Sequence, residues 1–462
     1  MRFLLVVYDN GSYIHFFPQG LGYIAAVLEK EGCEVVIYNQ DMNHYSEEHL
    51  TEYLNKNKFD FVGVSVIAGY YQYQQLLSIS KSINASKKRP FYIIGGHGPT
   101  PEPEYFIKKT QADAIVMGEG EETVVELIEK VAKKKSLKDV KGIAYKDGKK
   151  VIVNQRRELI KDIDTIPLPA YKLFPMNYYR LLRVPRTENQ DFVMPVLSGR
   201  GCIFSCVFCY RMDKGFRPRS NMSIIEEIKL LKKDYGINYI AFSDELLMSS
   251  VDRTISICKD FIKHKLDIKW DCNGRLNFAR PDVLRLMKKS GCVFINYGIE
   301  AMDDEVLKNM RKFLTIKQIL KGIRATLKEE ISPGFNIIFG NIGDNKKTLK
   351  KGVEFLLKYD DGSQMRTIRP VTPYPGTPLY YDAIEKGLLK GVADFYEHKH
   401  INSDLLAVNF TKLSDKGFHK ALLKANTQLI TNYFNHKLRN EINLAKRLYL
   451  KKDASFRGFR QS

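Results

Sequence analysis

The chain has 462 residues, with 73 Lys and Arg against 53 Asp and Glu for a formal charge of +20, and it carries seven cysteines and a hydrophobic fraction of 44%. This length predicts two or three domains, and the apolar content excludes wholesale disorder. Seven cysteines are too few for a disulfide scaffold and their odd number leaves at least one unpaired, which suits a reducing, intracellular setting.

The first apolar run meets Asp9 after five to six residues, too short for the core of a signal peptide. No stretch approaches the roughly 18 apolar residues of a membrane span, so a cytoplasmic protein is expected. Apolar runs at 3–8, 34–38, 59–66, 91–94 and 114–117 alternate with amphipathic stretches. That rhythm predicts a doubly wound, Rossmann- or flavodoxin-like α/β domain, with ligands at the carboxyl ends of its strands. An alternating segment at 142–154 centred on Asp147-Gly148 predicts a β-hairpin. Residues 160–186, with Pro167, Pro169, Pro175 and Pro185, read as a linker. A second series of strand-like runs follows at 192–197, 239–242, 268–272, 293–299, 335–339 and 365–371, each ahead of a helical pattern. One of those helices carries Ser223-x-x-Glu226, the pattern of a capping box. Six such units predict a partial (β/α)6 barrel of TIM type with its chemistry at the strand C-termini. The expected division is 1–140, 141–190 for hairpin and linker, 191–385 for the barrel, and 386–462 for a helical region.

The most informative residues are Cys202, Cys206 and Cys209 in Ser198-Gly-Arg-Gly-Cys-Ile-Phe-Ser-Cys-Val-Phe-Cys-Tyr210. A C-x3-C-x2-C loop lets three thiolates converge on one iron-sulfur cubane, leaving one iron open as a reactive position. A structural zinc wants a fourth Cys or His at matching spacing, and none follows nearby. An electron-transfer cluster would recruit a distant fourth ligand, Cys258, Cys272 or Cys292. Free cysteines are usually small buried hydrophobes, so these three and Cys33 are left out of the chemistry.

With these residues the sequence resembles the radical S-adenosylmethionine (SAM) enzymes. The likeness extends to Phe242-Ser-Asp-Glu245, Asn296-Tyr-Gly-Ile-Glu300, the stretch 334–343 and Thr372-Pro-Tyr-Pro-Gly-Thr-Pro378, each at a strand end. The resemblance implies that the three cysteines hold a [4Fe-4S] cluster whose open iron chelates SAM. Carried over by position, Asp244 and Glu245 would meet the SAM amino group, Glu300 and Arg275 the ribose or carboxylate, and Phe208 and Tyr210 would lie beside the adenine.

In the N-terminal domain, Gly20-Leu-Gly22-Tyr-Ile-Ala25 has the outline of a dinucleotide fingerprint, but about ten residues separate it from the first strand, whereas the fingerprint sits in the turn directly after one. The strand-end loops taken together, with Gly20, Gly22, Ser65, Gly95, Gly96, His97, Gly118, Glu119 and Gly120, resemble the cobalamin-binding domain fused ahead of the radical SAM barrel in the B12-dependent class. Small residues there let backbone approach a bulky ligand closely. The D-x-H-x-x-G motif that supplies a lower axial histidine in B12-dependent mutases is absent from this domain, which leaves the lower face of the cobalamin unassigned.

The resemblance implies an enzyme that cleaves SAM to a 5′-deoxyadenosyl radical and methylates an unactivated carbon through methylcobalamin. The alternative within the class is a non-methylating rearrangement or oxidative cyclisation. A tRNA methylthiotransferase ranks behind these, because its pattern needs further N-terminal cysteines where this chain has only Cys33; a cluster-dependent regulator binding nucleic acid rests on the charge alone. The expected partners are a small-molecule, lipid or peptide substrate and an electron donor such as flavodoxin or ferredoxin, with no nucleic acid. Part of the charge is local: residues 435–462 hold eight Lys or Arg and two acidic residues, either a solvated basic face or a site of peripheral contact with an anionic surface.

Overall fold

The computed structural model describes all residues except 12–13, 213, 454 and 456–462, so the end of the basic tail lies outside the described residues. The N-terminal sheet contains β1 (Arg2–Val7), β2 (Glu34–Asn39), β3 (Phe61–Ser65), β4 (Phe91–Gly95) and β5 (Ala114–Val116), all parallel, then β6 (Ile143–Asp147) and β7 (Lys150–Val153) antiparallel at one edge. Its order is β2-β1-β3-β4-β5-β6-β7. The central strand β1 reads as an unbroken apolar run because helices cover both its faces. The expected hairpin is present, with Gly148 at φ 60° in its turn, but it extends the first sheet and is no separate element between domains. Strand order reverses between β1 and β3, so the crevice of this domain opens at their carboxyl ends.

The second sheet contains β8 (Val193–Val196), then β9 (Gly199–Cys202) and β10 (Gly215–Pro218) as an inserted two-stranded ribbon, then β11 (Tyr239–Phe242), β12 (Lys269–Gly274), β13 (Cys292–Glu300), β14 (Ser332–Phe339) and β15 (Arg369–Pro370). Strands β8 and β11 to β15 are parallel in chain order and form a half-barrel. The sixth strand is only two residues long and lies at the sheet edge, where Pro370 turns its nitrogen away from the ladder while Val371 N donates to Phe339 O at 2.8 Å. The helix after the ribbon, Asn221–Tyr235, is capped by Ser220, whose hydroxyl accepts from Ser223 N at 3.1 Å. The cap therefore lies three residues before the Ser223-x-x-Glu226 pattern; Ser223 is already inside the helix and its hydroxyl accepts from Arg219.

Two segments tie the sheets together. In the linker, Tyr171, Phe174 and Tyr179 surround Phe17 at ring separations of 5.0–5.5 Å. Tyr171 also donates to the fully buried Glu227 at 2.6 Å, and Arg219 is the counter-charge of that carboxylate. The segment after β15 returns to the first domain: Tyr380, Phe395, Tyr396 and Val408 complete the core on the outer face of the N-terminal sheet. Tyr396 stacks on Tyr73 at 4.8 Å, and Tyr105 donates to Glu397 at 2.7 Å. His400 is fully buried there between Phe395 and Tyr374, with neither ring nitrogen hydrogen-bonded, and burial pushes its imidazole down to about 4.

Two outcomes follow. Arg219→Ala strands the buried Glu227 charge and is expected to cost about 3–5 kcal/mol of stability in urea titrations. Because the unfolded imidazole titrates near 6.5, His400 favours unfolding as pH falls from about 6.5 towards 4. The loss between pH 7 and 5 is about 2 kcal/mol, and His400→Phe, which keeps the stacking, should remove that share of the acid sensitivity.

Candidate functional site

The cysteine loop is built by close backbone approach. Residues 197–198 lead from β8 into the ribbon, where Gly199 pairs with Pro218 and Cys202 with Gly215. A side chain at Gly199 would run into the Phe216 ring and the Arg217 carbonyl, and Gly201 holds φ 85° against the carbonyl of Gly215. The glycines before Cys202 are therefore demanded by the crossing of the two strands. From Cys202 the loop carries Cys206 and Cys209, whose amide donates to the Cys206 carbonyl at 3.3 Å. Val207 N donates to Met310 O at 3.1 Å, and Val207 O accepts from Leu379 N at 3.0 Å.

Asp244 lies beneath this loop. It is 1% exposed and accepts from Ser198 N at 2.6 Å, Gly199 N at 3.2 Å and the Ser198 hydroxyl. Burial raises its carboxyl to about 6 against the pull of those bonds. Both oxygens are thus engaged in bracing the entry to the ribbon, and it is the neighbouring Glu245 and Ser243 that line a cavity, the Ser243 hydroxyl donating to Gln19 Oε1 at 2.7 Å.

Two buried cations stand beside the thiols. The Arg275 guanidinium lies 3.4 Å over the Phe204 ring, donates to the Lys312 carbonyl and reaches Cys206. Lys312, 7% exposed, donates to Glu300 at 2.9 Å and lies 5.8 Å from the Phe208 ring. Burial opposes its charge, but Glu300 and Cys206 hold its pKa above the usual range. A hydrogen bond from Cys209, aided by Lys312 and Arg275, pulls the Cys206 thiol down to about 6. Cys209, as the donor, is pushed up, and burial also raises Cys202. Arg275 and Glu300 thus belong to the surroundings of the cysteine loop. All three cysteines are free thiols. Among the described residues no three His, Cys, Asp or Glu side chains converge on a single metal ion. Three thiols on one loop, backed by two buried cations, suit a larger anionic group.

The carboxyl ends of the two sheets face each other across a cavity of about 390 Å³. The first domain contributes Gly20, Ser65, Gly95, Gly96, His97, Gly118, Glu119 and Gly120, and the half-barrel contributes Leu197, Arg200, Ser243 and Glu245. A Cβ built at Gly20 or Gly118 meets nothing within 4 Å, and one at Gly95 only the Val116 carbonyl at 4.0 Å. These glycines leave bare backbone along a large ligand's path, so the wall fits a bulky, flat-faced cofactor. Gly22 departs from the expectation: its Cβ would touch Pro169 and Phe17, and its carbonyl accepts from Ala170 N, so it packs against the linker and does not line the cavity. His97 opens onto the cavity with protein around it, which pushes its imidazole below the usual range, and its ring meets Tyr210 edge-on at 6.0 Å. Tyr210 is in turn covered by Gly376 and Pro101, so it forms a wall between the domains.

Glu119 has a further role that sequence reading missed. Its carboxylate binds Arg200 at 2.8 Å, Arg217 at 2.9 and 3.0 Å and the Ile160 amide at 2.9 Å, while Arg200 also binds Glu121 at 2.6 Å. Burial would raise its pKa, yet the guanidiniums hold it below the ordinary range. Arg200 and Arg217 pair with each other in register on the ribbon, so the first domain grips the element that carries Cys202.

The interior of the half-barrel holds a polar row, also missed. Asn273 donates to the Asp244 carbonyl at 2.7 Å, Asn296 to Asn273 Oδ1 at 3.0 Å, and Asn336 to Asn296 Oδ1 at 3.0 Å. A backbone carbonyl can only accept, which orients all three amides and leaves Asn336 Oδ1 at the open end. Gly334 makes room for this row: a Cβ there would meet the Phe294 ring at 2.7 Å and the Asn296 amide.

Residues 12–128 match the B12 binding domain family and residues 196–356 the Radical SAM superfamily. The chain is 31% identical over 377 residues to a protein of Pyrococcus horikoshii described as an uncharacterized methyltransferase, covering 80% of this chain and 79% of that one. It is 27% identical over 449 residues to the anaerobic magnesium-protoporphyrin IX monomethyl ester cyclase of Rubrivivax gelatinosus, covering 88% and 79%. The radical S-adenosylmethionine methyltransferase TsrM of Kitasatospora setae, solved with tryptophan substrate and a SAM analog, superposes with a TM-score of 0.69 at 17% identity, covering 83% of this chain and 76% of that one.

Arg200→Ala is expected to loosen the ribbon by about 1–3 kcal/mol. Hydrogen exchange of amides 199–218 should accelerate accordingly while exchange in β12 and β13 stays unchanged.

Proposed function

The chain belongs to the radical SAM superfamily, with a B12 binding domain ahead of the radical SAM domain, and on that premise we propose that it is a cobalamin-dependent enzyme that methylates an unactivated carbon of its substrate. The observation that carries this reading is that the ribbon leading into the C-x3-C-x2-C loop, through Arg200 and Gly201, lines the same interdomain cavity as the glycine-rich wall of the first domain. Cys202, Cys206 and Cys209 would hold the [4Fe-4S] cluster, and the backbone at Gly20, Gly95, Gly96, Gly118 and Gly120, with Ser65 and His97, would hold cobalamin. When bound, the cluster and SAM supply reductive cleavage chemistry, and cobalamin supplies a methyl group.

The protein's own part is to position and to shield. Arg275 and Lys312 would offset negative charge at the cysteine loop, and with the Cys209 hydrogen bond they favour the deprotonated form of Cys206. Glu245 and Ser243, at the end of β11, face the cavity where the amino group of SAM would lie. Asp244 contributes by fixing the strand end rather than through a free oxygen. Tyr210, set between Gly376 and the His97 ring, backs the His97 edge of the cavity and would help keep water from the reacting carbon. A low-potential protein such as flavodoxin or ferredoxin would deliver the electron.

The likeness to the cyclase supports oxidative cyclisation as a second reading. Products separate the two. After anaerobic cluster reconstitution with cobalamin, SAM and reductant, a methylase forms both 5′-deoxyadenosine and S-adenosylhomocysteine, and a cyclase only the former. Cys202→Ala, Cys206→Ala and Cys209→Ala should each lower SAM cleavage at least about a thousandfold, the usual scale for loss of an indispensable group. A variant that still cleaves SAM would refute the assignment.

A further inference from the structure

The helix Asp415–Lys451 is the longest element in the chain and takes no part in the site. Its first half is docked: Phe418, Leu422, Ala425 and Leu429 lie in the main core, and Asn426 exchanges hydrogen bonds with N and O of Ile368. Among the described residues its last hydrogen bond to the body is from Asn432 to Asp360, at 3.2 Å. About five turns continue beyond it; His436 still lies against Gly362, and among the described residues the side-chain hydrogen bonds further on, Asn440 to His436 and Arg447 to Asp453, stay inside the segment.

This projecting part is amphipathic. Phe434, Leu438, Ile442 and Tyr449 are 59%, 58%, 45% and 71% exposed, and at 100° per residue they fall within an arc of about 80°. Leu423, 69% exposed, continues the same line, so the stripe runs about 39 Å along the helix on the side opposite the buried face. Leu450, 78% exposed, falls off this stripe; around the rest of the circumference stand Lys437, Arg439, Lys446, Arg447 and Lys451, with Lys452 at the end, Glu441 at the edge of the stripe and Asp453 past the helix.

We propose that this helix lies on an anionic lipid surface, with the apolar stripe at the acyl boundary and the Lys and Arg side chains among the headgroup phosphates. Four large apolar side chains held in water on one line are a surface awaiting cover. Cationic side chains on both flanks match a planar anionic layer. A second copy fits less well, since pairing would bring the flanking Lys and Arg side chains of two helices together. The proposal is independent of the reaction assigned above.

The test is flotation of the full-length protein with vesicles of phosphatidylcholine alone and of an equal mixture with phosphatidylglycerol. Binding to the mixed vesicles is expected to exceed binding to the neutral ones by at least about tenfold and to weaken in high salt. Leu438→Glu with Ile442→Glu, and separately Lys446→Glu with Arg447→Glu, should each abolish most of it without altering SAM cleavage. Leu438→Trp supplies an independent probe, because the chain's single tryptophan, Trp270, is buried; its emission should shift to the blue on mixed vesicles. Equal binding to both vesicle types, no binding to either, undiminished binding of the glutamate variants, or unmoved emission of Leu438→Trp would each overturn the proposal. So would a dimer that the glutamate variants dissociate in the absence of lipid binding.

Discussion

The arrangement of this molecule depends on one partly buried ion cluster, in which Glu119 and Glu121 of the first domain hold Arg200 and Arg217 of the ribbon. Taking four charges out of water is costly, and such a group is stable only when its hydrogen bonds are nearly complete. Here the Glu119 carboxylate accepts from two guanidiniums and one amide. The half-barrel has an open edge and cannot by itself fix a ribbon inserted after its first strand. The ion cluster supplies that anchor from outside, Asp244 supplies one from below, and the amide contacts of Val207 supply a third. The cysteine loop is thus held by three anchors distant in sequence, and one of them, the Glu119 and Arg200 pair, also lines the interdomain cavity.

Charge around the thiols follows a related logic. A buried lysine survives because Glu300 pairs with it, and together with Arg275 it favours the anionic form of Cys206. Glycine has the complementary role. At Gly199, Gly201 and Gly334 its missing side chain is filled by neighbouring protein, whereas at Gly20 and Gly118 it is left open. The first group permits close packing and the second leaves backbone accessible, a distinction that the residue type alone does not disclose.

Much of the fold was legible in the sequence. Unbroken apolar runs marked the parallel strands, and the spacing of Cys202, Cys206 and Cys209 is a constraint that few other sites share. The failures have physical causes. The ribbon of β9 and β10 escaped notice because four-residue strands rich in Gly, Arg and Pro lack apolar alternation. Gly22 looked like its neighbour Gly20, yet the linker that covers it is about 150 residues away in sequence. Asp244 and Glu119 were read as cofactor contacts because carboxylates at strand ends usually serve ligands; the protein partners that they also hold, Ser198, Arg200 and Arg217, become visible only once the chain is folded. Asn296 and Asn336 lay inside stretches marked by their likeness at strand ends, but the row that joins them to Asn273, like the role of Lys312, comes from neighbours across strands and carried no signal of its own.

The return of residues 380–408 onto the outer face of the first sheet bears on how the molecule comes into being. A chain leaving the ribosome presents its N-terminal domain first, but Leu4, Val62 and Ile94 share a core with Tyr380, Phe395 and Val408. The domain's own helices supply Leu50, Leu76, Ile79 and Ile107 to that core, but its last members arrive only when more than four-fifths of the polypeptide has been made. The first domain therefore gains its complete core only after the strands of the second have been synthesised. Its final packing is ordered by the path of the chain and not by the rate at which either sheet forms.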